Sequence, residues 1–354
     1  MNREDKLTVE LATSRRGLIQ ASALAGAGLL LPTFSASAQP KGKSEGKIVA
    51  EEYWGNKKGV KLWIYRKYIA AGVEKKPILF MVHGSSYSSK TMFDLDVPGQ
   101  NYSVMNHFVR LGYDVWTMDH EGYGHSDRTA SYSDIASGAD DLKVAMDIIA
   151  RKTGKTQAAY FGQSSGALRA AKFCNVYPHH VASLILGALV YTGAGSRTLA
   201  TRKKSLRKLL ASNVRKVSPE FYSGVFTRDK PGSANPNMGN WVAEAEMKYG
   251  DTVPNGTYLD MVTKLPIIDP LQIPCPVLIA RGEYDGIASD EDVLDFYEKL
   301  PNPDKQIVKM GGLAHTSLLG VNRFRLFHVM QSFLTMPTAI PLGDAPPSAD
   351  GDPG

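Results

Sequence analysis

Gly162-Gln163-Ser164-Ser165-Gly166 is the stretch on which the reading of this chain turns. Its pattern is G-x-S-x-G. Before it runs Gln157-Ala158-Ala159-Tyr160-Phe161, apolar and of strand character. After it runs Ala167-Leu168-Arg169-Ala170-Ala171-Lys172-Phe173-Cys174, rich in helix formers. The pentapeptide alone also fits an ordinary turn, but a strand before and a helix after favour a strained elbow that presents Ser164 as a nucleophile. The turn needs glycine at both ends, because side chains there would collide with the adjoining strand and helix. A hydroxyl so held stands at a helix N-terminus, where free N–H groups and the helix dipole favour a developing anion.

A serine hydroxyl is a weak nucleophile at neutral pH and needs a base, which in turn needs an orienting acid. Outward from the elbow, apolar runs at 77–82, 113–118, 157–161 and 181–190 read as buried strands, with helices at 101–111 and 133–153 between them. Two extended stretches, 47–53 and 60–68, read as a hairpin opening the sheet, joined through Asn56-Lys57-Lys58-Gly59. Further strands at 276–280 and 305–310, with helices at 290–299 and 318–334, complete an alternation that indicates a mostly parallel α/β sheet. The last two strands lead into Arg281-Gly282-Glu283-Tyr284-Asp285-Gly286 and Gly311-Gly312-Leu313-Ala314-His315. Both loops then lie at the strand C-termini, with Ser164, where open α/β sheets bind ligands. The chain order is Ser164, Asp285, His315, with Glu283 as the rival acid.

These motifs together resemble the α/β-hydrolase family over roughly 76–334, less an insertion. Gly162–Gly166 matches the family's elbow, Gly282-Glu283-Tyr284-Asp285 its acid loop, and Leu313-Ala314-His315 its histidine loop, with Ala314 where the family often has glycine. His83-Gly84 matches the oxyanion motif, and residues 119–126 resemble D-x-x-G-x-G-x-S, with Glu121 where arginine is frequent. The resemblance implies a mostly parallel central sheet flanked by helices, with a small helical lid after the sixth strand. It implies catalytic Ser164, Asp285 and His315, and an oxyanion hole made by the main-chain N–H groups of Ser85 and Ser165. It implies no cofactor and no metal. His83 is expected to shape the oxyanion loop, His120 and His125 to line or border the site, and His179-His180 to sit at a helix end.

The strand–helix rhythm breaks at about 193 and resumes at about 266. The expected organisation is 39–192 and 267–336 as the two parts of the core, 193–266 as the lid, and 337–354 as a disordered Pro-, Gly- and Asp-rich tail. Residues 1–38 read as an export leader. Ser14-Arg15-Arg16-Gly17-Leu18-Ile19-Gln20 resembles the twin-arginine motif, an apolar run follows to Leu31, and Ala36-Ser37-Ala38 is a small-x-small cleavage site. The mature chain then starts near Gln39 in a periplasmic or secreted location. The apolar run is short for a membrane span.

The 354 residues carry a net charge of +6, and residues 193–266 alone hold twelve Lys/Arg against six Asp/Glu, so the excess sits in the insertion. Between Ser196 and Lys216 eight residues are basic and none acidic. Helical pieces are expected around 199–214 and 240–249, and Leu199, Leu206, Leu210 and Val214 recur near helical spacing, which would leave the charges on an outer face. That face either meets bulk water or attracts an acidic substrate. Nucleic-acid binding lacks both an aromatic platform and a known module. Cys174 and Cys275 are the only cysteines; a bridge between them and two separate buried thiols both fit.

The expected activity is hydrolysis of a small-molecule carboxylic ester or related acyl compound. Lactone, amide, carbon–carbon and perhydrolase chemistry use the same three residues, and epoxide hydrolysis and dehalogenation are disfavoured by Ser164 at the elbow. The reading of another class is a non-catalytic binding protein on the same fold, disfavoured by an intact Ser/Asp/His set.

Overall fold

The computed structural model describes residues 46–337, which belong to one compact unit. The export leader, the expected start at Gln39 and almost all of the expected tail lie outside these residues.

Eight strands form the central sheet: β1 (Ile48–Lys57), β2 (Val60–Ile69), β3 (Ile78–Val82), β4 (Asp114–Met118), β5 (Ala158–Gln163), β6 (Val181–Gly187), β7 (Val277–Gly282) and β8 (Lys305–Met310). Their order is β1-β2-β4-β3-β5-β6-β7-β8. The β1–β2 hairpin and the β2–β4 pair are antiparallel, and every pairing from β4 to β8 is parallel. The hairpin turns at Lys58-Gly59, both with positive φ (51° and 95°), the twist-matched two-residue turn, and Asn56 Oδ1 accepts from the Gly59 N–H at 2.8 Å. All five residues of β3 are buried, as a central parallel strand covered on both faces requires. Trp116, Leu142, Tyr160 and Phe173 belong to the core on one face, and Met81, Phe108, Val115 and Phe161 to that on the other.

The crossover helix Ile135–Thr153 is capped by the Asp134 side chain, which accepts from the Ser137 N–H, and closes on Gly154 at φ 73°. The expected strand to Val190 stops at Gly187, because Ala188 takes φ 53° and leaves the sheet. The expected helix from 318 is a short 3₁₀ turn, Ser317–Leu319, then a break at Gly320, with the helix proper at Arg323–Leu334.

Between β6 and β7 the chain makes helices Arg197–Lys203, Leu206–Leu210, Pro219–Thr227, Met238–Glu246 and Gly256–Thr263, and a ribbon of Val214–Lys216 with Thr252–Pro254. The helical pieces expected around 199–214 are two short helices, with a strand at the end of that stretch, and the piece expected around 240–249 is Met238–Glu246. Like charges at i,i+4, Lys203 with Arg207 and Lys204 with Lys208, oppose a continuous helix. The break lets Leu199 and Leu209 both reach the core, while Leu210 stays 58% exposed. The helix Pro219–Thr227 has local start signals in the sequence: Ser218 caps it and Pro219 opens it.

Candidate active site

Ser164 follows the last residue of β5 and caps the helix Ser165–Val176. Its backbone is at φ 58°, ψ −124°, a strained conformation for a residue with a side chain. The two glycines are sterically required. A Cβ on Gly162 would lie 2.3 Å from the Gly166 carbonyl oxygen, and one on Gly166 would lie 2.1 Å from that of Val82. Ser164 N–H donates to Gly187 O at 2.8 Å, which ties the elbow to the end of β6.

His315, after β8, places Nε2 2.9 Å from Ser164 Oγ. Its Nδ1 lies 2.9 Å from Asp285 Oδ1. That oxygen also accepts from the N–H groups of Ile287 and Ala288, at 2.9 and 3.2 Å. Burial would raise the Asp285 carboxyl, but His315 and these donors hold it below the usual carboxylate range. Asp285 therefore remains an anion that orients the imidazole. Glu283 is exposed and accepts from the Gly312 N–H at 2.8 Å, which lowers its pKa. Of the two candidate acids only Asp285 meets the histidine.

The histidine loop is also held by a residue not singled out in the sequence. Gln163 Nε2 donates to the His315 carbonyl at 2.6 Å, so elbow and base loop are joined by a buried side chain. On the other side, the His83-Gly84-Ser85 loop after β3 runs along the elbow. A Cβ on Gly84 would lie 3.4 Å from that of Ser164. The hydroxyls of Ser85 and Ser165 are 2.7 Å apart, which sets the two loops at fixed separation beside Ser164. His83 is fully buried. Its Nδ1 meets Gly84 O at 2.8 Å and its Nε2 accepts from the His120 N–H at 3.1 Å. Burial and the neighbouring His120 and Arg169 hold its pKa well down, so it is a neutral brace of this loop.

His120 and His125 do not line the cavities at Ser164. His120 is buried against Asp141, with Nδ1 at 3.0 Å, and His125 stacks on Trp63 with ring centroids 4.4 Å apart. Glu121 pairs with Lys57 at 2.8 Å.

The insertion covers the site. Thr257 Oγ1 donates to Ser85 Oγ at 2.8 Å, and Arg215 Nη2 donates to Ser85 O at 2.5 Å. Ser164 opens into a chamber of about 30 Å³, whose wall includes Ser85, Ser86, Arg202, Val225, Arg228 and His315. Arg202 and Arg228 also line a cavity of about 740 Å³ that reaches the acid loop and Tyr258. Of the eight basic residues between Ser196 and Lys216, Arg202 and Arg215 are half-buried, and Arg197, though exposed, also lines the larger cavity. Arg197, Lys203, Lys204, Arg207, Lys208 and Lys216 are exposed. Among the described residues no group of three or more metal-ligating side chains is assembled, and no helix is long and apolar enough to cross a membrane.

The family model for serine aminopeptidases of type S33 matches residues 74–320. Three solved structures resemble this fold. A bromoperoxidase from Bacillus anthracis is 18% identical, with 80% of this chain and 99% of that chain covered at a TM-score of 0.60. A thermophilic esterase from Thermogutta terrifontis is 16% identical, covering 80% and 98% at a TM-score of 0.59. A carboxylesterase from Bacillus subtilis is 16% identical, covering 81% and 92% at a TM-score of 0.58. Among curated proteins none matches this sequence.

Proposed function

The chain belongs to the serine aminopeptidase S33 family of α/β hydrolases, and from that premise we propose that it hydrolyses a small-molecule carboxylic ester through an acyl-enzyme. The observation that carries this reading is the unbroken chain Ser164 Oγ, His315 Nε2, His315 Nδ1, Asp285 Oδ1, with both contacts at 2.9 Å. His315 takes the Ser164 proton as Oγ attacks the ester carbonyl. The N–H groups of Ser85 and Ser165 receive the oxyanion, each worth about 3 kcal/mol in the transition state. The imidazolium gives its proton to the leaving alkoxide, and a water that His315 deprotonates then releases the acid and restores Ser164.

An ester is favoured over a peptide with a free amino terminus by the chamber itself, because Arg202 on its wall repels an ammonium. A panel of p-nitrophenyl esters of graded acyl length, beside lactones and aminoacyl-p-nitroanilides, tests the assignment. Ester turnover is expected to exceed amide turnover, and preferential release of p-nitroaniline from aminoacyl substrates would replace the esterase by an aminopeptidase.

The proposal extends to residues 193–266 as the lid over Ser164 and to export of the folded chain by the twin-arginine route. Arg15 and Arg16 before an apolar run and Ala36-Ser37-Ala38 support export. Lysine at both arginine positions is expected to leave precursor in the cytoplasm; undiminished export would refute the route.

A further inference from the structure

Arg202 and Arg215 converge on one side chain. Their guanidinium carbons lie 3.8 and 3.7 Å from the centroid of the buried Tyr258 ring. Both guanidinium groups are therefore in direct contact with this one ring. Arg202 Nη2 donates to the Tyr258 hydroxyl at 3.2 Å. Arg215 donates through Nη1 to Pro254 O and through Nη2 to Ser85 O. Neither arginine has a carboxylate within ion-pair distance among the described residues. Arg202 Nη1 and Arg215 Nε are buried there without a hydrogen-bond partner.

The acids around the larger cavity do not offset this charge, because each is already engaged. Asp229 holds Arg228 through two bonds of 2.9 Å. Asp285 serves His315, Asp290 pairs with Arg281 and Lys309, and Glu283 accepts from Gly312. Burial would raise the phenol of Tyr258, yet Arg202 and Arg215 pull it down to about 7, so near neutral pH its phenolate meets part of this charge, while Arg202 Nη1 keeps an open donor. A desolvated guanidinium with an open donor is costly unless an anion meets it, and its forked donors suit a carboxylate.

The place of Arg202 relative to Ser164 gives this charge a purpose. The chamber at the nucleophile, about 30 Å³, has room for little beyond the reacting carbonyl. Arg202 and Arg228 line both this chamber and the cavity of about 740 Å³, so a substrate that extends from one into the other meets them. We propose that Arg202, with Arg228 beside it, recognises a carboxylate carried by the substrate, so that this protein acts on anionic esters. The inference rests on the hydrolase reading above.

The test compares kcat/KM for two matched pairs on the full chain. Mono-p-nitrophenyl glutarate against p-nitrophenyl valerate places the carboxylate on the acyl side, and 4-acetoxybenzoate against its methyl ester places it on the alcohol side. The charged member of at least one pair is expected to be preferred by about tenfold or more, the scale of one charge-assisted hydrogen bond. Arg202→Gln is expected to abolish that preference mainly through KM, Arg202→Lys to restore part of it, and Lys203→Gln, an exposed neighbour, to leave it intact. Near-UV circular dichroism shows whether each variant is folded. Absence of preference in the wild type for both pairs, or a preference that survives Arg202→Gln, overturns the proposal. Turnover of the neutral esters in that case leaves the hydrolase assignment standing, whereas no turnover of any ester removes both.

Discussion

Glu246 of the insertion accepts two hydrogen bonds from Ser88, from its N–H at 3.0 Å and from its hydroxyl at 2.5 Å. Ser88 lies three residues beyond Ser85, so this pair clamps the insertion to the loop beside the nucleophile. Glu246 is buried, and burial raises its carboxyl to about 7, with the nearby Asp119 charge adding to the shift against the opposing bonds from Ser88 and Thr91.

Because that pKa lies above the 4.5 of the free group, the protonated carboxyl contributes stability that is complete below pH 4.5 and is lost as pH rises through about 7. Glu246→Gln keeps an acceptor for Ser88 but cannot ionise. Melting temperatures measured from pH 5 to 9 are expected to fall faster for the wild type than for Glu246→Gln, by an amount equivalent to at most about 3 kcal/mol. A constant difference across that range would show that Glu246 does not take up this proton.

In the proposed reaction Asp285, which meets His315 Nδ1 at 2.9 Å, orients the base and Glu283 does not. Asp285→Asn is expected to lower kcat by roughly 10⁴, as the loss of the orienting acid does in other triads. Glu283→Gln removes only the exposed contact with Gly312 and is expected to cost less than about tenfold. Steady-state kinetics on one ester decides between them, and the reverse order would move the acid to Glu283.

Cys174 and Cys275 lie with Sγ atoms 3.9 Å apart, both buried and both free. The facing thiol of Cys275 and burial push the Cys174 thiol far above its usual range. Reduced native protein is therefore expected to resist iodoacetamide at pH 8 and to take two adducts in denaturant, read by intact mass. Rapid alkylation of the folded protein would contradict the packing of this pair.

The residues that were legible in the sequence are those whose chemistry is written locally. Gly162, Ser164 and Gly166 announce themselves because the turn's steric needs fall on adjacent positions, and His315 because a strand and two glycines frame it. Asp285 and Glu283 are two residues apart on one loop, so only the loop's fold could assign the acid. The basic run 197–216 is not one outward face, because Arg202 stands three positions after Leu199 and shares its side of the helix Arg197–Lys203. The break after Lys203, between the helices Arg197–Lys203 and Leu206–Leu210, and the strand at Val214–Lys216 place Arg215 on a separate element. Gln163, Glu246 and Tyr258 carry no sequence signal, since their partners lie 152, 158 and 56 positions away.

The proposed reaction requires Ser164 as its nucleophile. The most direct measurement is labelling of the full chain with a fluorophosphonate, followed by tandem mass spectrometry of the peptide 156–169, which separates Ser164 from Ser165. A phosphonyl adduct on Ser164 is expected in the wild type and none in Ser164→Ala. Labelling that persists at another residue in Ser164→Ala would contradict the account.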